Sequence, residues 1–88
     1  MQRYLEITFR KGKPVAAYLY LTDDQGEKSQ RSEEFGSGLV LDFDQGDELV
    51  GIEITSPASM TVDSVNDALQ RHHMPLIASD ELSPLVAA

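Results

Sequence analysis

Cysteine does not occur in the sequence, and its absence excludes disulfide bonds, thiolate metal sites and cysteine nucleophiles together. Long apolar runs are also missing, since no stretch approaches the length of a membrane span. The opening residues, Met-Gln-Arg-Tyr-Leu-Glu, lack the apolar core of a signal peptide. We therefore expect a cytoplasmic protein without membrane contact, and 88 residues leave room for one domain with a modest core.

Basic residues are scarce. Seven Lys and Arg residues accompany fifteen Asp and Glu residues, which gives a net charge of −8. The acidic residues are concentrated between positions 21 and 56. A surface of this sign repels phosphate groups, so we do not expect the domain to bind nucleic acid by itself. It would attract a basic protein partner, although net charge also simply keeps a small protein soluble.

Residues 38–54 have the alternation of a β-hairpin with one buried face. If Gln45 and Gly46 form a two-residue turn, Leu41 lies opposite Val50, and apolar residues face each other along most of the ladder. A slip of one residue would turn the apolar side chains outward, whereas a slip of two would not. The turn residues are therefore open to a shift of two positions.

Other segments also read as strands. Residues 3–10 alternate, with Leu5, Ile7 and Phe9 on the apolar face, and residues 15–21 alternate after a turn at residues 11–14. Residues 22–28 read as a polar loop. Residues 29–35 are charged and could form a strand at the edge of the sheet. Together these patterns predict an antiparallel β-meander of four to five strands.

Residues 61–73 have helical spacing, with an apolar stripe at i, i+3 and i+7 that begins at Val62. Thr61 is a plausible N-cap, and Pro75 is expected to stop the helix. One such helix packed on one face of the sheet would complete an α+β fold.

We accordingly predict a single α+β domain over residues 1–74, with the sheet in residues 3–55. Residues 75–88 mix apolar and acidic residues without a clear period. They are treated as a C-terminal tail that is either frayed or docked on a neighbouring surface.

If the helix covers one face of the sheet, the opposite face presents three tyrosines and two aliphatic residues among polar neighbours. Tyrosine suits interfaces because it combines a large apolar body with a polar tip. A contiguous patch of this kind on a small protein needs an explanation. We predict that this face is an interface, first of all in a symmetric homodimer. A docked tail or the 22–35 segment could cover it instead. The predicted interface residues are Tyr4, Tyr18, Tyr20, Val40 and Leu49.

The acidic residues invite a calcium hypothesis, because Asp42, Asp44 and Glu53 have the spacing of EF-hand ligands. The match fails at the loop glycine, which comes one position early, and no helices flank the segment. Acidic side chains on the outer face of a strand are more often solvated. We therefore predict no metal site here.

Catalytic chemistry finds little support in the sequence. His72 and His73 are the two histidines, and neighbours on a helix point about 100° apart, so they do not readily share a metal ion. None of the serines is singled out as a nucleophile with a base and an orienting acid. No glycine-rich loop leads into a helix. We expect neither an enzyme nor a cofactor.

Three segments carry a family resemblance. Residues 17–21 (Ala-Tyr-Leu-Tyr-Leu), 39–44 (Leu-Val-Leu-Asp-Phe-Asp) and 49–54 (Leu-Val-Gly-Ile-Glu-Ile) resemble the bacterial family called domain of unknown function 2283. The resemblance covers roughly residues 4–56. It implies a small β-rich fold with no established activity and no catalytic residues to transfer. Some members look like the smaller partner in toxin-antitoxin-type gene pairs.

Three functional hypotheses follow. The first is a small protein-interaction module that forms homodimers and has no catalytic activity. The second is an acidic, antitoxin-like partner that neutralises a basic toxin. The third is a protein that binds a small ligand or a metal ion.

Overall fold

The computed structural model describes residues 3–22, 30–36 and 38–86. Within these residues it contains one five-stranded antiparallel sheet and two α-helices. Much of the predicted 22–28 loop, together with the predicted start of the third strand at Ser29, lies outside the described residues. The strands are β1 (Tyr4–Arg10), β2 (Lys13–Tyr20), β3 (Arg31–Phe35), β4 (Leu39–Phe43) and β5 (Leu49–Ile54).

The strand order β1-β2-β5-β4-β3 corrects the predicted simple meander. Consecutive strands pair within β1-β2 and within β3-β4-β5, but β2 pairs with β5 instead of β3. The physical reason lies in the composition of the strands. β5 is almost entirely buried and occupies the centre, whereas the charged β3 lies at an edge, where a neighbour on one side suffices.

The β1-β2 hairpin turns at Lys11 and Gly12, which both have positive φ, 53° and 78°. Pro14 therefore lies inside β2, opposite Phe9, and not in the turn as predicted. Val15 is the extra residue of a bulge at this point, since Thr8 pairs with Ala16. Phe9 lies beside this bulge and is 53% exposed, so the prediction that it belongs to the core is wrong.

The β4-β5 hairpin also differs from its predicted register. Leu41 pairs with Ile52, two positions from the predicted Val50, and the register shifts between Asp42 and Phe43. Asp44 explains the longer loop, because its Oδ1 accepts hydrogen bonds from the backbone N–H groups that follow it in the turn, those of Gly46 and Glu48, both at 2.9 Å. The loop therefore extends beyond the predicted two residues.

Helix α1 spans Val62–Arg71, and Thr61 caps it as predicted. The Thr61 Oγ1 accepts a hydrogen bond from the Ser64 N–H at 3.1 Å. The helix ends before the predicted residue 73, because His73 has a positive φ of 59°. Three side chains of α1 join the sheet residues in the hydrophobic core, namely Val65, Ala68 and Leu69.

Residues 75–86 also contribute to that core, although the predicted domain ended at residue 74. A 3₁₀ turn at Ser79–Leu82 leads into helix α2 (Ser83–Val86). The Asn66 side chain donates to the Ile77 carbonyl at 3.1 Å and accepts from the Ile77 N–H at 2.7 Å. The hydrophobic core therefore extends past the predicted boundary, through Ile77, Leu82 and Leu85.

Candidate functional site

The sheet has an inner face, which packs on α1 and residues 75–86, and an outer face. Alternation and register assign the outer face residues from all five strands. One cross-strand row runs Glu6, Tyr18, Glu53, Val40, Glu34, and the next runs Tyr4, Tyr20, Gly51, Asp42, Ser32. We call this set of ten residues the outer face.

Three tyrosines form a continuous aromatic stack on the outer face. The rings of Tyr4 and Tyr20 stack with centroids 4.4 Å apart, and the rings of Tyr18 and Tyr20 are tilted with centroids 4.6 Å apart. Tyr4 is 40% exposed, while the other two tyrosines are half-buried. These ring contacts restrict the side-chain rotamers of the three tyrosines.

Asp42 is the buried acid of the outer face, with 4% of its surface exposed. The Tyr18 hydroxyl donates to its Oδ2 at 2.7 Å, and the Ser32 hydroxyl donates to its Oδ1 at 2.6 Å. Both carboxylate oxygens are therefore bonded, which compensates for their burial. The network joins β2, β4 and β3 across the sheet.

Gly51 makes this network possible. The ring of Tyr18 crosses directly above Gly51, and a Cβ at that position would overlap the ring and its hydroxyl. Because β5 has no side chain there, the Tyr18 phenol can reach from β2 to Asp42 on β4.

Burial and neighbouring acids raise the pKa values of three residues on the outer face. Burial raises the pKa of Glu53, and the nearby Asp42 charge and a hydrogen bond with Asp42 raise it further. Burial also raises the pKa of Tyr18 above its ordinary value, with the Asp42 hydrogen bond as the second cause. The Tyr20 hydroxyl donates to Glu6 Oε1 at 3.0 Å, and this bond raises the pKa of Tyr20.

An open depression of about 210 Å³ lies beside Tyr18 on this face. The small Ala16 lies between Thr8 on β1 and Thr55, which follows β5. Glu6 and Glu53 also line the depression, and none of its lining residues is basic.

Four of the five predicted interface residues lie on the outer face, namely Tyr4, Tyr18, Tyr20 and Val40. Leu49 does not. It pairs with Phe43 beyond the bulge and is buried in the core, so its assignment to the interface is wrong. The bulge adds one residue to β5, and this turns Leu49 to the inner face.

Glu6, Asp42, Gly51 and Glu53 were not predicted to be parts of one site. Alternation already assigns Glu6 to the same face as Tyr4, and Glu53 to the same face as Gly51. Strand order and register, which bring these residues next to one another, could not be read from the sequence.

The residues considered for metal binding have other contacts. Asp42 accepts from Tyr18 and Ser32, Asp44 organises the β4-β5 loop, and the His72 ring lies edge-on to Phe43, with centroids 5.0 Å apart. Across residues 3–22, 30–36 and 38–86, no group of three or more His, Cys, Asp or Glu residues could hold a metal ion. In the same part of the chain, no helix is long and apolar enough to cross a membrane.

These features define a small α+β protein in which one face of an antiparallel sheet carries stacked tyrosines and carboxylates. Residues 16–56 match the family model described as protein of unknown function DUF2283, which confirms the predicted family resemblance. Neither a curated protein nor a solved structure matches the chain significantly. The matched residues include Tyr18, Ser32, Asp42, Gly51 and Glu53, so the family segment contains the whole network around Asp42.

Proposed function

We propose that the protein is a cytoplasmic protein-interaction module without catalytic activity, and that its partner binds the outer face. The observation that carries this proposal is the tyrosine stack on one continuous face. Tyrosines are enriched in interfaces because they supply apolar area together with a hydrogen-bonding tip. Their mutual stacking gives the face a preformed shape.

Charge favours a basic partner. Glu6, Glu34, Asp42 and Glu53 share the outer face with the tyrosines, and the whole chain has a net charge of −8. A partner with Lys and Arg residues would be attracted to this face and oriented by it. A basic toxin, as in the antitoxin-like hypothesis, would be one partner of this chemistry.

A homodimer through the outer face is the second candidate. Stacked tyrosines on two copies could pack against each other around a two-fold axis. The same arrangement would bring the carboxylates of one copy towards those of the other, and like charges across an interface weaken association. The charge distribution therefore ranks self-association below binding of a basic protein.

The proposal is tested by copurification with matched variants of the tagged full chain. Tyr4→Ser removes the most exposed ring of the stack, whereas Leu76→Ser removes a side chain that is 57% exposed outside the sheet. We expect the wild type and Leu76→Ser to retain a common partner and Tyr4→Ser to retain at least about tenfold less of it, which corresponds to ~1.4 kcal/mol. Equal retention by all three chains would remove the outer face as the binding surface.

Ligand binding remains a third proposal and has one structural feature in its favour. The depression beside Tyr18 combines carboxylates with threonine hydroxyls and an aromatic ring. A small molecule that binds there would have to be cationic or rich in hydrogen-bond donors, because the depression has no basic residue.

A further inference from the structure

The depression beside Tyr18 has one acidic residue on each side of β2. Glu6 on β1 and Glu53 on β5 lie opposite Tyr18, one on each side of β2. Ala16, two residues before Tyr18 on the same face, has a side chain too small to fill the space between the flanking strands. Two acidic residues and a tyrosine therefore line one open depression of about 210 Å³.

We propose that this depression receives an arginine side chain of the partner protein, with the guanidinium between Glu6 and Glu53 and against Tyr18. The proposal rests on the proposed function, because it names the chemistry by which the outer face recognises its partner. The bound group is an arginine presented by a basic protein.

Arginine fits this geometry better than lysine does. Its planar guanidinium has five N–H donors in a fixed fork, so it can donate to carboxylates on two sides at once. It also stacks on aromatic rings, which the Tyr18 side chain offers at the edge of the depression. A lysine ammonium is a strongly hydrated point charge and gains less from a two-sided arrangement.

The local charges also favour a cation. Glu53 is partly buried and lies near the Asp42 carboxylate. No residue that lines the depression is basic. A guanidinium in the depression would compensate for the burial of the Glu53 carboxylate and for its repulsion by Asp42. Each carboxylate has a neutral or acidic neighbour but no basic one among the lining residues, since Glu6 Oε1 accepts from the Tyr20 hydroxyl and Glu53 shares a hydrogen bond with Asp42. A guanidinium would donate to the lone pairs that these bonds leave open.

The experiment uses the full chain and two short peptides of equal length and charge, one with arginine and one with lysine in a Gly-Ser background. Calorimetry measures the affinity. Tyrosine emission reports the location, because the chain has no tryptophan and its three tyrosines all lie on the outer face. The variants are Glu6→Gln and Glu53→Gln, and the matched control is Glu48→Gln, an exposed residue before β5.

We expect the arginine peptide to bind at least about fivefold more tightly than the lysine peptide and to change the tyrosine emission. Glu6→Gln and Glu53→Gln should each weaken arginine binding about tenfold, which corresponds to ~1.4 kcal/mol, and Glu48→Gln should not. The variants should remain folded, because glutamine at position 53 removes the repulsion from Asp42 and glutamine at position 6 can still accept from Tyr20. Circular dichroism checks this.

Three results would overturn the inference. Equal affinity for the two peptides, with equal weakening in all three variants, would mean diffuse attraction to a negative surface. No peptide binding, while Tyr4→Ser still abolishes copurification, would leave the outer face as an interface and remove the arginine site. Loss of both effects would remove the inference and the proposed function together.

Discussion

At the scale of single residues, a glycine determines how the side chains of the outer face pack. Gly51 leaves open the space that the Tyr18 ring occupies, and the ring brings its hydroxyl to Asp42. Asp42 in turn accepts from Ser32. A buried carboxylate with both oxygens bonded is stable in this environment, whereas the same group without donors would be costly.

We predict that Gly51→Ala lowers the free energy of unfolding by about 1–3 kcal/mol, because the new methyl group displaces the Tyr18 ring and breaks its bond to Asp42. Urea denaturation measures the change. Gly46→Ala is the matched control, since the nearest atom to a Cβ there is Asp44 Oδ1, at an ordinary distance of 3.5 Å.

A second variant separates the overlap from the general effect of alanine in a strand. In the background of Tyr18→Ala, the ring is absent, so Gly51→Ala should cost little or even stabilise the protein. If Gly51→Ala were equally destabilising with and without the Tyr18 ring, the overlap would not be the cause.

At the scale of elements, two bulges and a C-terminal segment account for the main differences from the predicted structure. Phe9, beside the bulge in β2, is exposed, and Leu49, beyond the bulge in β5, is buried. The alternation of apolar and polar residues does not reveal a bulge when the extra residue is itself apolar, as Val15 and Val50 are. The C-terminal segment is short and aperiodic, yet its apolar side chains complete the core.

We predict that Leu82→Ala lowers the free energy of unfolding by about 2–5 kcal/mol, because Leu82 is fully buried in the core. Leu76→Ala makes the same chemical change six residues earlier, at a side chain that is 57% exposed. It should alter stability by no more than about 0.5 kcal/mol. Urea denaturation of the two variants compares the sites directly, and similar values would contradict the docking of residues 75–86.

At the scale of the whole molecule, the sheet separates two kinds of surface. The inner face packs against α1 and the C-terminal segment, and the outer face carries tyrosines and acids. A net charge of −8 disfavours contact with another copy of the same chain and favours contact with a basic protein.

We therefore predict that the isolated full chain is monomeric at high micromolar concentration in sedimentation equilibrium. The carboxylates of the outer face are the reason, since they would approach one another in a two-fold dimer. A dimer that Tyr4→Ser dissociates and Leu76→Ser does not would instead establish the homodimer as the function of this face.

Much of the fold could be predicted from alternation and spacing. The five strand regions, the edge position of residues 31–35 and the N-cap at Thr61 all have local signals, because period two, charge and capping chemistry act between near neighbours. The strand order had no such signal. The strand order depends on which strand is buried most completely, and that burial exists only once the other four strands have assembled.

The sequence by itself determined that this protein would form an antiparallel sheet with one apolar face and three tyrosines on the other. Tertiary structure alone decided that Tyr18 reaches Asp42 across Gly51, and that Glu6 and Glu53 flank one depression. The physical reason is that alternation fixes the face on which a side chain lies, whereas contacts between strands depend on order and register. These are set by packing between residues distant in the chain.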